Sequence, residues 1–275
     1  MFDSIEFPLL AGLILALAST GVIAGILAGL LGVGGGIVIV PVLFHLLTFF
    51  DVGDDIRIHI AVGTSLATII LTSISSAWSH HKKGAIDWDL LRRWGPAIFL
   101  GVIGGTWAAG ISDATLLTAV FATLALIVAG NMAFRPADMH LSKSLPGSPF
   151  KEMIGVFIGW FSAMMGIGGG TFTVPILTLF QYPIRKAVGT ASAIGLIIAI
   201  PGTAGFLISG MNAPDLPPGN LGYVNILGFA VIVPMTILFA PLGAHIAHSI
   251  NTERLKKLFA FFLFITSIRM FYDLI

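Results

Sequence analysis

The sequence predicts an all-α polytopic membrane protein of two inverted-topology repeats, each a glycine-broken hairpin plus three transmembrane helices. Three observations predict it. The 275 residues are 56% hydrophobic and 10% charged, with mean hydropathy +0.99, whereas a soluble domain carries about a quarter charged residues. A glycine-rich motif occurs twice, and further matches follow each copy in the same order. Basic residues gather in loops that fall on one side of the membrane when the spans are counted.

Composition also excludes. The apolar runs lack the period-two alternation of an outer-membrane barrel. A formal net charge of +1 offers nucleic acid no electrostatic footprint. With no cysteine there is no disulfide, haem thioether or thiolate metal site, and no cofactor or metal is expected. The start, MFDSIEF, lacks the basic region of a cleaved signal peptide.

The repeat is read directly from the letters. GLLGVGGGIVIVPVL (29–43) matches AMMGIGGGTFTVPIL (163–177), so Gly32, Gly34, Gly35, Gly36 and Pro41 align with Gly166, Gly168, Gly169, Gly170 and Pro175. AVGTS (61–65) then matches AVGTA (187–191), and GTWAAGISDATLLTAVF (105–121) matches GAHIAHSINTERLKKLF (243–259). Ordered matches of this kind mark two homologous halves. The first repeat is 1–140, with a broken hairpin at 8–50 and helices at 60–79, 95–111 and 115–134. The second is 141–275, with a broken hairpin at 152–181 and helices at 187–209, 222–248 and 255–272. A spanning helix needs about 20 apolar residues. Arms of 152–181 fall short of that, so this segment is expected to dip in and return, or to cross thinly.

Lys and Arg favour the cytoplasmic side. Placing HHKKG (80–84), Arg92 and Arg93 inside brings Arg135, Lys143, Lys151, Arg185, Lys186, Arg254, Lys256 and Lys257 inside as well. Arg57 is the exception, in an acidic outer loop with Asp51, Asp54 and Asp55. Both termini then lie outside, and helix 60–79 runs opposite to 187–209. Such inverted repeats with broken helices are a signature of secondary transporters.

The glycines raise the chemical question. Open backbone in a bilayer leaves N–H and C=O groups unsatisfied. A half-helix starting inside the membrane, however, presents free N–H groups and a positive dipole end, which bind an anion without a buried cation. Gly34, Gly35 and Gly36 with Gly168, Gly169 and Gly170 are therefore expected to form a two-sided backbone cradle for a small anion. Pro41 and Pro175 are expected in the first turn of the helix that follows each cluster. Close helix packing is the alternative for the clusters, and it is the expected role of Gly21, Gly25 and Gly29.

The paired GxGGGxxxxPxL motifs, the AVGTS element and the ending GAHIAHSINTERLKKLFAFFLFITSIRMF resemble the TauE/SafE family of membrane permeases, the sulfite exporters, over nearly the whole chain. That resemblance implies a bacterial inner (cell) membrane location and transport of small sulfur oxyanions or organosulfonates, such as sulfite or sulfoacetate.

Other polar residues complete the expected site. Thr64, Ser65 and Thr68 on helix 60–79, with Thr190 on its partner, offer hydroxyl donors to the anion; the alternative is bonding between helices or to the i−4 carbonyl. His45 and His245 are candidates for proton coupling, and interfacial placement is the alternative for His45. Arg57 and Arg185 are candidates for cationic entrances, unless Arg57 pairs with Asp54 or Asp55. Trp78, Trp88, Trp94 and Trp107 suit interfaces. Partners are thus a small anion, possibly with protons, and the lipid bilayer. An anion channel is the second class of function. An intramembrane serine hydrolase built on Ser65 is the third, and it lacks the glycine that follows the serine in a nucleophile turn.

Overall fold

The computed structural model describes residues 7–50, 52–134, 141–142, 144–247 and 252–274. Its helices are α1 (Phe7–Leu31), α2 (Gly36–Phe49), α3 (Asp54–His81), α4 (Trp88–Ile111), α5 (Ala114–Phe134), α6 (Phe150–Met165), α7 (Gly170–Leu179), α8 (Ile184–Gly210), α9 (Ile226–Ile246) and α10 (Thr252–Tyr272). A two-residue strand pair, β1 (Asn220–Leu221) with β2 (Val224–Asn225), precedes α9. Six of the helices are long and apolar enough to cross a membrane.

Helix ends depart from the sequence expectation where polar residues extend an apolar run. α3 reaches from Asp54 to His81, with acids in its first turn and histidines in its last, the charge placement a helix dipole favours. α4 starts at Trp88 instead of 95 because the Asp87 carboxylate caps it, accepting from Leu90 N at 2.9 Å. α9 starts at Ile226 instead of 222, capped by the Asn225 side chain on Gly228 N at 2.7 Å. Pro41 and Pro175 lie in the second turn of α2 and α7, not the first, because each helix begins at the last glycine of its cluster. Trp94 is a core residue, 1% exposed, while Trp78, Trp88 and Trp107 are exposed. Arg135 and Lys143 lie outside the described residues, as do the side chains of Arg254 and Lys256.

The chain turns back at both glycine clusters. α1 ends at Leu31, and Gly32, Gly34 and Gly35 turn the chain at φ 69°, 71° and 80°, a region in which a side chain is strained. α2 then returns along α3: Gly36 lies beside Ser65 and Ile69, and Phe44 lies under Arg57. In the second half α6 ends on Gly166 at φ 65° and α7 starts at Gly170.

Helix seams run between the halves. α1 packs on α9, with Gly21 against Ile232, Gly25 against Thr236 and Gly29 against Ala240, so the two run parallel. α4 packs on α6 in the same way, with Gly101 against Val156 and Gly105 against Trp160. α3 crosses α8 antiparallel, with Gly63 against Phe206, Leu66 against Gly202 and Ser73 against Gly195. α5 packs on α10. These are small-residue seams, in which missing side chains let backbones approach.

Loops sort into two ends. Lys83 Nζ donates to Ala244 O at 2.9 Å, and the Tyr182 hydroxyl donates to Asp87, so the α3–α4 and α7–α8 connections share one end with the last turn of α9. His59 Nε2 lies 3.2 Å from both Ala109 O and Ser112 O, and its ring faces Tyr223 at 5.0 Å. The start of α3, the α4–α5 corner and the β1–β2 turn therefore share the other.

Candidate functional site: two abutting glycine turns

The two glycine turns meet backbone to backbone in the protein interior. Gly168 N donates to Val33 O at 3.1 Å. A Cβ on Gly34 would lie 3.1 Å from the Gly168 Cα, and one on Gly168 would lie 2.6 Å from Val33 O. A Cβ on Gly36 would overlap Gly166 O, and one on Gly170 would overlap Gly32 O. All six candidate glycines are buried. The short helices α2 and α7 thus begin at one place. In α2, Val38 N and Ile39 N both turn to Gly35 O. The earliest N–H groups of such a helix have no partner within it.

Hydroxyls on α3 reach this centre unequally. Ser65 Oγ donates to Gly166 O at 2.6 Å and so pins the second turn from the first half. Thr68 Oγ1 donates to Ser65 O at 2.7 Å. Thr64 and Thr190 lie away from the turns and hold the two halves together in matching ways. Thr64 Oγ1 accepts from Asn225 N at 2.8 Å, and Thr190 Oγ1 accepts from Asp87 N at 2.9 Å. Asn225 and Asp87 are the capping residues of α9 and α4. Gly63 and Gly189, which precede the two threonines, lie against the backbone of Tyr223 and Ala85. The AVGT element therefore has a physical role: glycine admits a backbone from the other half, and threonine fixes it.

The titratable candidates lie outside this centre. His45 faces Asp273, with Nδ1 3.7 Å from the carboxylate. His245 is exposed in the last turn of α9. The Arg57 guanidinium pairs with Asp54, donates to Val52 O at 3.1 Å and covers the Phe44 ring, the pairing given above as the alternative to an entrance. Arg185 is exposed at the start of α8. An open groove on the outer face of α6, between Glu152 and Phe161, also lies elsewhere.

Sequence reasoning missed two groups and the burial of a third, His59 and His80, which it places with Arg57 at the outer entrance and in the basic HHKKG loop. Asp87 and Tyr182 form a polar tie between the halves. The hydrogen bond from Tyr182 first, then the one from Leu90 N, holds the Asp87 carboxyl below its ordinary value of 3.8; burial and that same bond push the Tyr182 hydroxyl up. A depressed carboxyl stabilises the fold above its ordinary value and loses that contribution as pH falls through the folded-state value. Asp87→Ala is expected to lower stability by about 1–2 kcal/mol through loss of the cap. Thermal unfolding in detergent checks this, and the deficit should shrink below about pH 4, near the free carboxyl value. His59 and His80 are 3% and 1% exposed. His80 Nε2 lies 2.8 Å from Gly29 O, on the small-residue face of α1. The second missed group is Ser162, Thr171 and Thr173 beside the second turn. Comparing GIVIVP with GTFTVP exposes the two threonines, since they replace Ile37 and Ile39.

The sulfite exporter TauE/SafE family model matches residues 17–270. A probable membrane transporter protein of Haemophilus influenzae is 38% identical over 253 residues, covering 91% of this chain and 95% of its own. One from Methanocaldococcus jannaschii is 29% identical over 262 residues, covering 91% of each chain. One from Bacillus subtilis is 25% identical over 276 residues, covering 92% of this chain and 95% of its own. No solved structure matches the chain. The chain belongs to the TauE/SafE family of membrane transporters.

Proposed function

We propose that the protein is a secondary transporter, working as an exporter, that carries a small sulfur-containing anion such as sulfite or a C2 organosulfonate by alternating access. The anion is held near the midplane by the N-termini of α2 and α7. One observation carries the reading: both half-helices start at the same buried point, with Gly168 N on Val33 O at 3.1 Å. Amide ends of that kind attract anions through their N–H groups and dipoles. The turns touch in this conformation, so an anion enters only when they part. That need for movement favours a carrier over an open channel. A hydrolase is disfavoured because Ser65 gives its hydrogen to Gly166 O, leaving no activated nucleophile.

The halves, 1–140 and 141–275, are read as inverted repeats. Support comes from the antiparallel crossing of α3 and α8, which occupy matching places in the two halves, and from the paired seams α1 on α9 and α6 on α4. The end carrying Lys82, Lys83, Arg185 and Lys186 is placed on the cytoplasmic side of the inner membrane by the positive-inside rule. Both termini are then outside. His45 and His245 remain the proposed proton-coupling residues, and Arg57 and Arg185 the proposed anion entrances. Within the binding centre, Ser65 reaches the second turn and Thr68 bonds the carbonyl of Ser65, while Thr64 and Thr190 support it from the helix caps.

Flux into proteoliposomes tests this. Saturable uptake of sulfite or sulfoacetate is expected, at rates far below single-channel conductance. Gly35→Val and Gly169→Val, recovered folded by size exclusion, should lose it. Normal transport in both would remove the cradle. Reaction of Gly84→Cys with an impermeant maleimide only from the inner face of the cell membrane checks the orientation, in a chain without native cysteine.

A further inference from the structure

We infer that the two turns are unequal partners, with the second supplying the hydroxyl donors that grip an oxyanion through Ser162, Thr171 and Thr173. The inference rests on the anion-carrier reading above and assigns the donors within that site.

Hydroxyls in a helix ordinarily donate to the carbonyl three or four residues back. This chain follows the rule widely: Thr20 bonds Ala16 O, Thr48 bonds Phe44 O, Ser192 bonds Val188 O and Thr236 bonds Val233 O. Even on α7, Thr178 bonds Val174 O and Pro175 O. Ser162, Thr171 and Thr173 break the rule. They are 0%, 3% and 0% exposed, and the hydroxyl oxygen of each has no hydrogen-bond partner. Buried polar groups without partners are uncommon and destabilising. Ser73, Thr106 and Thr203 are buried without a partner too, but they are scattered one to a helix over α3, α4 and α8, whereas Ser162, Thr171 and Thr173 fall together on the last turn of α6 and the first turns of α7.

Helical spacing relates them to the glycine turn. Residues three or four apart share a face. Thr173 shares one with Gly169 and Gly170, which lie against Ala191 of α8 and Gly32 of the first turn. Ser162 shares one with Gly166, which lies against Val62 and Val40. Thr171 is adjacent to Gly170, where α7 begins.

The first turn has no such donors. Ile37 and Ile39 stand where Thr171 and Thr173 stand in the second, and Ala28 stands for Ser162. Its nearby hydroxyls are already spent, Ser65 on Gly166 O and Ser192, beside Gly32, on Val188 O. The first turn therefore offers amides and an apolar wall, and the second offers amides and hydroxyls. Several neutral donors suit an anion with several acceptor oxygens, and they hold it without the fixed cation that would slow release.

Steady-state flux of sulfite and sulfoacetate in proteoliposomes tests the assignment, beside thermal unfolding of each variant in detergent. Thr173→Val keeps the shape and removes the hydroxyl. It should raise the half-saturation concentration about tenfold, the size of one lost hydrogen bond to a charged group, while the unfolding midpoint stays level or rises. Ser162→Ala and Thr171→Val should act in the same direction. Thr173→Ser should restore wild-type half-saturation, and Thr178→Val should change nothing. Unchanged half-saturation in the triple variant, with Gly169→Val inactive, overturns the inference and leaves the carrier reading standing. A lowered midpoint with no rescue by Thr173→Ser also overturns it, as a packing role. No saturable flux of either probe in the wild type, or normal flux in Gly35→Val and Gly169→Val, overturns both.

Discussion

Gly36→Ala and Gly170→Ala are each expected to abolish transport and to lower the unfolding midpoint sharply, whereas Gly130→Ala leaves both intact. A single methyl suffices because of what it meets. At Gly36 it overlaps Gly166 O, with Ser65 Oγ only 2.8 Å away; at Gly170 it overlaps Gly32 O, with Val33 N at 2.7 Å. The overlapped atoms, Gly166 O and Gly32 O, are backbone, held by the turns and, for Gly166 O, by the Ser65 bond. Relief therefore means pushing the turns apart. Overpacking of a tight interior costs typically about 1–3 kcal/mol, and more where backbone must move. About 3 kcal/mol is expected here for either variant. Gly130 is the fair comparison, because a methyl there meets nothing within 4 Å, and removing a helical glycine gains about 0.5–1 kcal/mol. Flux and thermal unfolding, measured on the same preparations, check all three. A Gly170→Ala protein with wild-type stability would mean that the turns do not touch as described.

That contact also shows what the letters carried and what they could not. Glycine clusters in an apolar run announced a break, because glycine alone adopts φ near 70–80° without steric cost, as at Gly32, Gly34 and Gly35. The duplicated order of motifs set α3 beside α8 in the alignment of the halves, and the two helices cross antiparallel. Which surfaces meet is a different kind of information. Thr64 and Thr190 look like donors on a helix face, yet their oxygens accept from caps in the other half, a contact set by tertiary packing. Trp94 looks like an interface residue but fills the core, since tryptophan suits both places and only the neighbours decide. Pro41 misled by one turn because the helix starts at Gly36, and a helix start cannot be read within a cluster of four glycines. Thr171 and Thr173 were legible by aligning the halves, but their lack of partners was not.

The seams decide which parts can move. α3 is bonded to α9 by Thr72 to Thr236 at 2.7 Å and Ser75 to Ile237 O at 3.0 Å, and to α1 by Ser76 to Ala28 O and His80 with Gly29 O. With the α1–α9 seam, these three parallel helices make one body, drawn from both halves. α4, α6 and α8 make the other, through the α4–α6 seam and the pairing of Gly95 with Ile197 and Gly205 with Thr106. The first glycine turn follows α1 and the second follows α6, so in the proposed transport cycle a rocking of one group of helices against the other parts the turns. The proposed pivot is the crossing of α3 and α8, where Ser76 bonds Ser192 at 3.1 Å. A chain without cysteine allows a direct test. Disulfide formation in Ser76→Cys/Ser192→Cys draws the two side chains together by about 1 Å and ties the bodies off-centre. Oxidation is expected to cut sulfite flux to background, and dithiothreitol to restore it. The same bridge within one body, Thr72→Cys/Thr236→Cys, should leave flux at the wild-type rate when oxidised. Both pairs are buried hydroxyl pairs on α3, so general damage to packing cannot separate them. Full transport through the oxidised Ser76→Cys/Ser192→Cys protein would show that the bodies do not rock about this crossing, and the turns would then have to open by local movement of α2 and α7.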